Sequence, residues 1–122
     1  MNIAMLVLLA LVTHECRADA PRIVPRMTGE KLVRYFSNPP SGQTLNLDQL
    51  LTIKLHGELA LSYLDGVADA GQGTVWCDRS KVKTHEINSM ILAELEALSP
   101  DRLRESAAIL ANAVLQKHFP CP

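Results

Sequence analysis

The chain has 122 residues, of which 48% are hydrophobic and 20% are charged, as expected for one folded domain rather than two. Its formal net charge is −1, and only 4% of its residues are aromatic. These values argue against a nucleic-acid binder, which needs clustered Lys and Arg side chains for phosphate and aromatic rings for base stacking.

The N-terminal segment has the pattern of a secretion signal. Residues 3–12 form an uncharged apolar run, which suits the hydrophobic region of a signal peptide and is too short to cross a bilayer. Small residues follow at Ala18 and Ala20. We therefore predict a signal peptide over residues 1–18, cleaved after Ala18 or Ala20, that leaves no stable membrane anchor. A buried N-terminal helix is the alternative.

Cleavage also changes the cysteine count from three to two. Cys16 is removed, and the mature chain keeps Cys77 and Cys121. Two cysteines in an exported protein are expected to form a disulfide. The loop of roughly 45 residues that it closes would contribute about 4 kcal/mol of stability on the chain-entropy model. Two unpaired buried thiols are the alternative.

The first part of the mature chain is predicted to contain one short helix. Residues 19–27 carry two prolines and no periodicity, so we expect an extended lead-in. Thr28 can cap a helix that ends at Tyr35 or Phe36. Residues 37–44 contain two adjacent prolines followed by a glycine, and we predict a loop there.

A long helix is predicted over residues 47–70, with Asn46 as its N-cap. Apolar side chains occur on nearly every side of this segment, which is typical of a central, buried helix. The Gly71-Gln72-Gly73 sequence ends it. Residues 74–83 are then a polar connector.

Two further helices complete the predicted fold. Thr84 is expected to cap the third helix, and Ser99 followed by Pro100 marks the start of the last helix, which runs to about Lys117. No segment shows strand alternation. We therefore predict an all-α fold, a compact bundle of about four helices with one disulfide, formed by residues 28–122 as a single domain.

No catalytic or metal-binding set can be assembled from the sequence. The histidines lack ligand spacing, and His85-Glu86 has no second histidine four residues later. Asp65 and Asp69 lie four residues apart on one helix face, which permits a metal or acid pair, but an ordinary solvated face is the simpler interpretation. We expect no enzyme activity, metal or cofactor, and keep a small hydrolase that uses Asp65 and Asp69 as a minor alternative.

Four short motifs in a fixed order carry a family resemblance. They are YLDGVAD at residues 63–69, Trp76-Cys77, Leu95 leading to Ser99-Pro100, and Phe119-Pro120-Cys121. In this order the chain resembles the periplasmic immunity proteins of type VI secretion, the Rap/Tai family. Many relatives have additional cysteines where this sequence has Tyr35-Phe36 and Ala60-Leu61-Ser62, so the subgroup and the toxin stay open.

The resemblance implies inhibition by occlusion. Members form helical homodimers and push a loop into the active-site cleft of a papain-like peptidoglycan amidase, without catalysis of their own. We expect the same of this chain in the periplasm, with the connector over residues 71–83 as the loop. The predicted partner-binding residues are Gln72, Thr74, Trp76, Asp78, Arg79 and Ser80. For Trp76, packing over the disulfide in the core is an equally good interpretation.

A different class of function stays open beside this one. Small helical proteins with a single disulfide also include periplasmic acid-stress chaperones. Such a chaperone would expose hydrophobic surface when its carboxylates and histidines become protonated.

Overall fold

The computed structural model describes residues 24–79 and 82–122. The predicted signal peptide, its cleavage site and the lead-in before residue 24 lie outside these residues. Five helices are present in the described part: α1 (Gly29–Phe36), α2 (Leu47–Gly71), α3 (Thr84–Glu96), α4 (Pro100–Leu103) and α5 (Ala107–His118). The predicted all-α class is confirmed.

Local capping explains where the first helices begin. The Thr28 side chain accepts a hydrogen bond from the backbone N–H of Lys31 at 3.2 Å. At the start of α2, Asn46 and Gln49 form a capping box, in which each side chain accepts from the other residue's backbone N–H at 2.9 Å. Both caps satisfy N–H groups that lack partners in the first helical turn, and both agree with the sequence prediction.

The start of α3 is one residue earlier than predicted. Thr84 is the first helical residue, and Lys83 occupies the N-cap position. The Glu86 carboxylate accepts a hydrogen bond from the backbone N–H of Lys83 at 3.2 Å. The Glu86 carboxylate, three residues into the helix, therefore provides the side-chain capping bond in place of the predicted Thr84 hydroxyl.

The last predicted helix is divided into α4 and α5. The backbone N–H of Ala107 donates to the carbonyl of Met27 at 2.9 Å, and the carbonyl of Glu105 accepts from the N–H of Gly29 at 3.1 Å. These long-range bonds use backbone groups that a continuous helix would pair internally. The break at Ser106 thus joins the C-terminal part of the fold to the beginning of α1.

The core lies where α5 packs against α2 and α3, and where α1 closes over α2. Its buried apolar residues are Leu32, Ala60, Leu64, Ala68, Trp76, Ile87, Ile91, Leu95, Ala107, Leu110, Ala111, Val114 and Leu115. The α3 and α5 members recur at the three- and four-residue spacing that the sequence predicts for inward faces.

Helix α2 belongs to the core, as the prediction of a central, buried helix expects, but only its C-terminal half is buried. Ala60, Leu64 and Ala68 pack in the core, whereas no residue of the N-terminal half is buried. The large apolar side chains exposed on α2 are Leu47, Leu50, Leu51, Leu55, Leu59 and Leu61. Apolar periodicity alone does not distinguish a face covered by the same chain from a face left open.

An ion cluster joins α3 to the end of α5. Glu94 accepts hydrogen bonds from the Lys117 ammonium at 3.0 and 3.1 Å and also pairs with the His118 ring. These hydrogen bonds, first from His118 and then from Lys117, hold the pKa of Glu94 below its usual value. In the described ranges, no helix has the length and apolar character needed to span a membrane.

Candidate functional site

The connector between α2 and α3 is fixed to the C-terminus. Cys77 and Cys121 form a disulfide with their Cα atoms 4.9 Å apart, so the predicted pairing is confirmed. The backbone N–H of Cys77 also donates to the carbonyl of Phe119 at 2.8 Å. A covalent bond and a backbone hydrogen bond therefore hold the middle of the connector against the segment that follows α5.

A tight turn joins α2 to this anchor. The carbonyl of Gly71 accepts from the backbone N–H of Val75 at 2.8 Å, and the N–H of Gly73 donates to the carbonyl of Trp76 at 2.7 Å. Gly73 has a φ of 81°, a conformation that glycine adopts without the strain of a side chain. The first half of the connector is thus a hydrogen-bonded turn with a defined shape.

Trp76 is a core residue, as one of the two interpretations of the sequence expects. Its side chain is 3% exposed, and its indole Nε1–H donates to the carbonyl of Ala68 at 2.9 Å. Its ring lies 5.9 Å from that of Phe119. A side chain at Gly71 would place a Cβ 3.1 Å from the indole, so glycine there lets the ring approach α2 closely.

The predicted polar contact residues lie at the surface of this anchored segment. Gln72, Thr74 and Arg79 are exposed, and Asp78 is half-buried. The Thr74 hydroxyl donates to the α2 backbone at 3.2 Å, and Asp78 accepts a hydrogen bond at 3.5 Å from the backbone N–H of residue 82. Ser80 lies outside the described residues.

Successive connector residues line two different cavities. Trp76 and Asp78 line a cavity of about 350 Å³ between the end of α2 and the start of α3, which we call the acidic cavity. Cys77 and Arg79 line a second cavity of about 230 Å³ beside His118. The connector therefore lies between a carboxylate-lined surface and a surface that carries Arg79.

The acidic cavity contains the aspartate pair that the sequence drew attention to. Asp65 and Asp69 line it from α2, and Asn88 lines it from α3. The Asn88 amide Nδ2 donates to Asp65 at 2.9 Å, which gives Asp65 a structural partner. Sequence reasoning missed Asn88 because it lies 23 residues further along the chain, and no local pattern links the two.

The three histidines in the described part of the chain are not brought together. His56 stacks on Tyr35 with ring centroids 4.1 Å apart, His118 pairs with Glu94, and His85 is exposed at the start of α3. Within residues 24–79 and 82–122, no three His, Cys, Asp or Glu side chains are grouped so that they could hold a metal ion.

The fold and the connector together define a helical binding module with a surface segment anchored by a disulfide. The family model of the Rap1a immunity proteins matches residues 28–121, and the chain belongs to this family. No curated protein matches the sequence at a significant level. As a member of the Rap1a immunity proteins, the chain is an inhibitor that binds a cognate toxin and is not an enzyme.

Proposed function

We propose that this protein neutralises a type VI secretion toxin, a peptidoglycan amidase, in the periplasm by inserting its connector into the active-site cleft of the toxin. Family membership supports the immunity function and favours it over an acid-stress chaperone. The disulfide supports an oxidising compartment such as the periplasm. A papain-like amidase attacks with a cysteine thiolate, and a segment that fills the cleft excludes the peptidoglycan substrate.

The anchoring of the connector is the observation that carries this proposal. A flexible loop loses conformational freedom when a partner binds it, and that loss reduces affinity. Here the disulfide and the bond from Cys77 to Phe119 hold the connector before any partner arrives. The exposed side chains of Gln72, Thr74 and Arg79 can then contact the cleft with less of this loss.

A homodimer is the second part of the proposal, and the exposed half of α2 supports it. Leu47, Leu51, Leu55 and Leu59 recur every four residues and therefore form one row along the helix. They are between 48% and 70% exposed, and the row lies on the side of α2 that faces away from the buried Leu64. We call these four residues the leucine row.

The leucine row suits a second copy of the same chain. Side chains four residues apart form a ridge that packs into the matching groove of another helix. A row on one helix related to itself by a two-fold axis gives the self-complementary contact of a symmetric dimer. The exposed fractions amount to a little over two whole leucine side chains per protomer. Burying them in an interface would contribute roughly 5 kcal/mol of hydrophobic free energy per protomer, at about 2 kcal/mol for each leucine.

The test of inhibition uses a small Cys/His amidase encoded beside the gene for this chain. Purified amidase is assayed on peptidoglycan with the mature protein, with Arg79→Ala and with the control Arg104→Ala, which removes an exposed arginine from the end of α4. We expect wild type and the control to inhibit equally. Arg79→Ala should weaken inhibition about tenfold, within the range that one interface arginine contributes, and leave Tm unchanged.

The outcomes separate contact from folding. Full inhibition by Arg79→Ala would show that this part of the connector does not contact the toxin. An equal loss of Tm and of inhibition would show that the segment is structural. Lysis of cells that export the amidase, whether or not this protein is present, would contradict the amidase assignment.

A further inference from the structure

The second cavity beside the connector lies against the disulfide. It has a volume of about 230 Å³ and is lined by Cys77, Arg79, His118, Phe119 and Pro120; we call it the disulfide cavity. Cys77 is half-buried, so the bond is neither sealed in the core nor fully exposed. Cys121 is not among the described residues that line the cavity. A reagent that enters the cavity therefore reaches the bond from the Cys77 side.

The charged groups around the disulfide cavity favour an anionic reagent. Arg79 is exposed at the cavity, and its guanidinium stays protonated at any pH that the folded protein meets. The His118 ring pairs with Glu94 of α3, and the Lys117 ammonium pairs with the same carboxylate at 3.0 Å. This carboxylate therefore already has two basic partners, and an anion in the cavity meets the positive charge of Arg79.

A disulfide beside a positive charge is suited to exchange with a thiol that carries carboxylates. In thiol–disulfide exchange a thiolate attacks one sulfur of the bond, and the other sulfur leaves as a thiolate. The rate depends on access to the attacked sulfur, which the cavity provides at Cys77. A guanidinium attracts carboxylates, and such attraction raises the local concentration of an anionic reagent.

We propose that the disulfide cavity is an exchange site for small thiols that carry carboxylates, and that Cys77 is the sulfur they attack. The incoming thiolate forms a bond to Sγ of Cys77, the Cys77–Cys121 bond breaks, and Cys121 leaves as a thiolate that takes a proton from water. One disulfide replaces another, so the step needs no further oxidant or reductant. In the reverse reaction the Cys121 thiolate expels the small thiol and restores the native bond. This chemistry is independent of the toxin and of the function proposed above.

Exchange at this site removes the covalent anchor of the connector and leaves its contacts with the core. Trp76 is buried and donates to the carbonyl of Ala68, and neither feature involves sulfur. The backbone bond from Cys77 to Phe119 does not involve sulfur either. We therefore expect the mixed-disulfide form to keep the helical fold with a less restrained connector.

The site of attack is tested with glutathione, a thiol peptide with two carboxylates. The oxidised mature protein is incubated with glutathione in native buffer, free thiols are blocked with N-ethylmaleimide, and the peptides of a digest are identified by mass spectrometry. We expect glutathione on Cys77 and N-ethylmaleimide on Cys121. Glutathione on Cys121, or equally on both cysteines, would overturn the assignment of the attacked sulfur.

Arg79→Ala tests the role of the charge. The rate of disulfide opening is measured with glutathione, which is anionic, and with 2-mercaptoethanol, which is neutral. Arg79→Ala should slow the reaction with glutathione about twofold to threefold, as expected for one exposed charge pair, and leave the reaction with 2-mercaptoethanol unchanged. The control Arg104→Ala removes an exposed arginine outside the cavity lining and should react like wild type. Added salt should reduce the difference between wild type and Arg79→Ala, because exposed charges are screened.

The dependence of the rate on thiol concentration separates exchange at the cavity from unfolding. A rate proportional to the concentration of glutathione would support attack on the folded protein. A rate that does not change with this concentration would show that the bond opens only after unfolding, and would overturn the proposal. Equal slowing of both thiols by Arg79→Ala would overturn the role of its charge. Failure to inhibit any amidase would refute the proposed function and leave these rates unaffected.

Discussion

Replacing Leu55 by alanine should weaken self-association about 40-fold and leave the fold of the single chain intact. Leu55 is 57% exposed on α2, so its side chain contributes little to the core. Burying this exposed part in the dimer interface contributes about 1.1 kcal/mol to the free energy of association, at about 2 kcal/mol for a whole leucine. A two-fold dimer loses that contribution twice, and about 2.3 kcal/mol corresponds to a factor of about 40 in Kd.

Sedimentation equilibrium of the mature protein over a range of concentrations measures this effect directly. The matched control is Ile109→Ala, because Ile109 is 63% exposed on α5 and loses a similar apolar area away from the leucine row. We expect wild type and Ile109→Ala to share one dimer Kd. The thermal unfolding of Leu55→Ala, measured under conditions where all variants are monomeric, should match that of wild type.

Two results would refute the reasoning behind this prediction. A wild-type protein that stays monomeric at high micromolar concentration would show that the leucine row is not covered by a second copy. A similar loss of association in Ile109→Ala and Leu55→Ala would show that contact is unspecific or uses another face. In either case the exposed half of α2 would require a different partner.

Two further predictions concern stability. Reduction of the Cys77–Cys121 bond, which spans 44 residues, should lower the free energy of unfolding by about 4 kcal/mol; urea unfolding with and without reductant measures it, and unchanged midpoints would contradict it. Glu94 has a lowered pKa in the folded protein, so its stabilising effect is complete above the unfolded value, about 4.5, and is lost as the pH falls through the lowered folded value. The Tm advantage of wild type over Glu94→Gln should therefore disappear in acid, and an equal difference at pH 3 and pH 7 would contradict this assignment.

The helix boundaries that the sequence predicts well depend on short-range signals. Asn46 and Gln49 are three residues apart, and their mutual hydrogen bonds involve only this local segment. The break at Ser106 depends instead on bonds to Met27 and Gly29, about 80 residues away. No local propensity reports such a contact, so the sequence predicts one continuous helix there.

The exposure of half of α2 could not be predicted for a related reason. An apolar side chain has the same sequence signature whether its own chain or another molecule covers it. Leu64 and Leu55 are both leucines on one helix, but Leu64 is fully buried whereas Leu55 is 57% exposed. The sequence therefore predicts that apolar side chains on several sides of α2 are buried, and the structure shows which of them remain exposed in the single chain.

The candidate site depends both on features that the sequence indicates and on long-range contacts that it does not. The disulfide follows from counting the cysteines that the predicted cleavage of the signal peptide would leave, and the connector follows from its glycines and polar composition. The acidic cavity requires Asp78 and Asn88 to meet Asp65, and these residues come from three separate segments. The sequence therefore suggests the aspartate pair but not the cavity that the pair lines.

The connector shows how one short segment can serve stability and recognition without conflict. Trp76 and Cys77 are held by the core and by the disulfide, so the next two residues, Asp78 and Arg79, start from a fixed position. Asp78 lines the acidic cavity, whereas Arg79 lines the separate cavity beside His118. The fold thus sets the separation of the two charges before a partner binds, which reduces the entropy lost on binding.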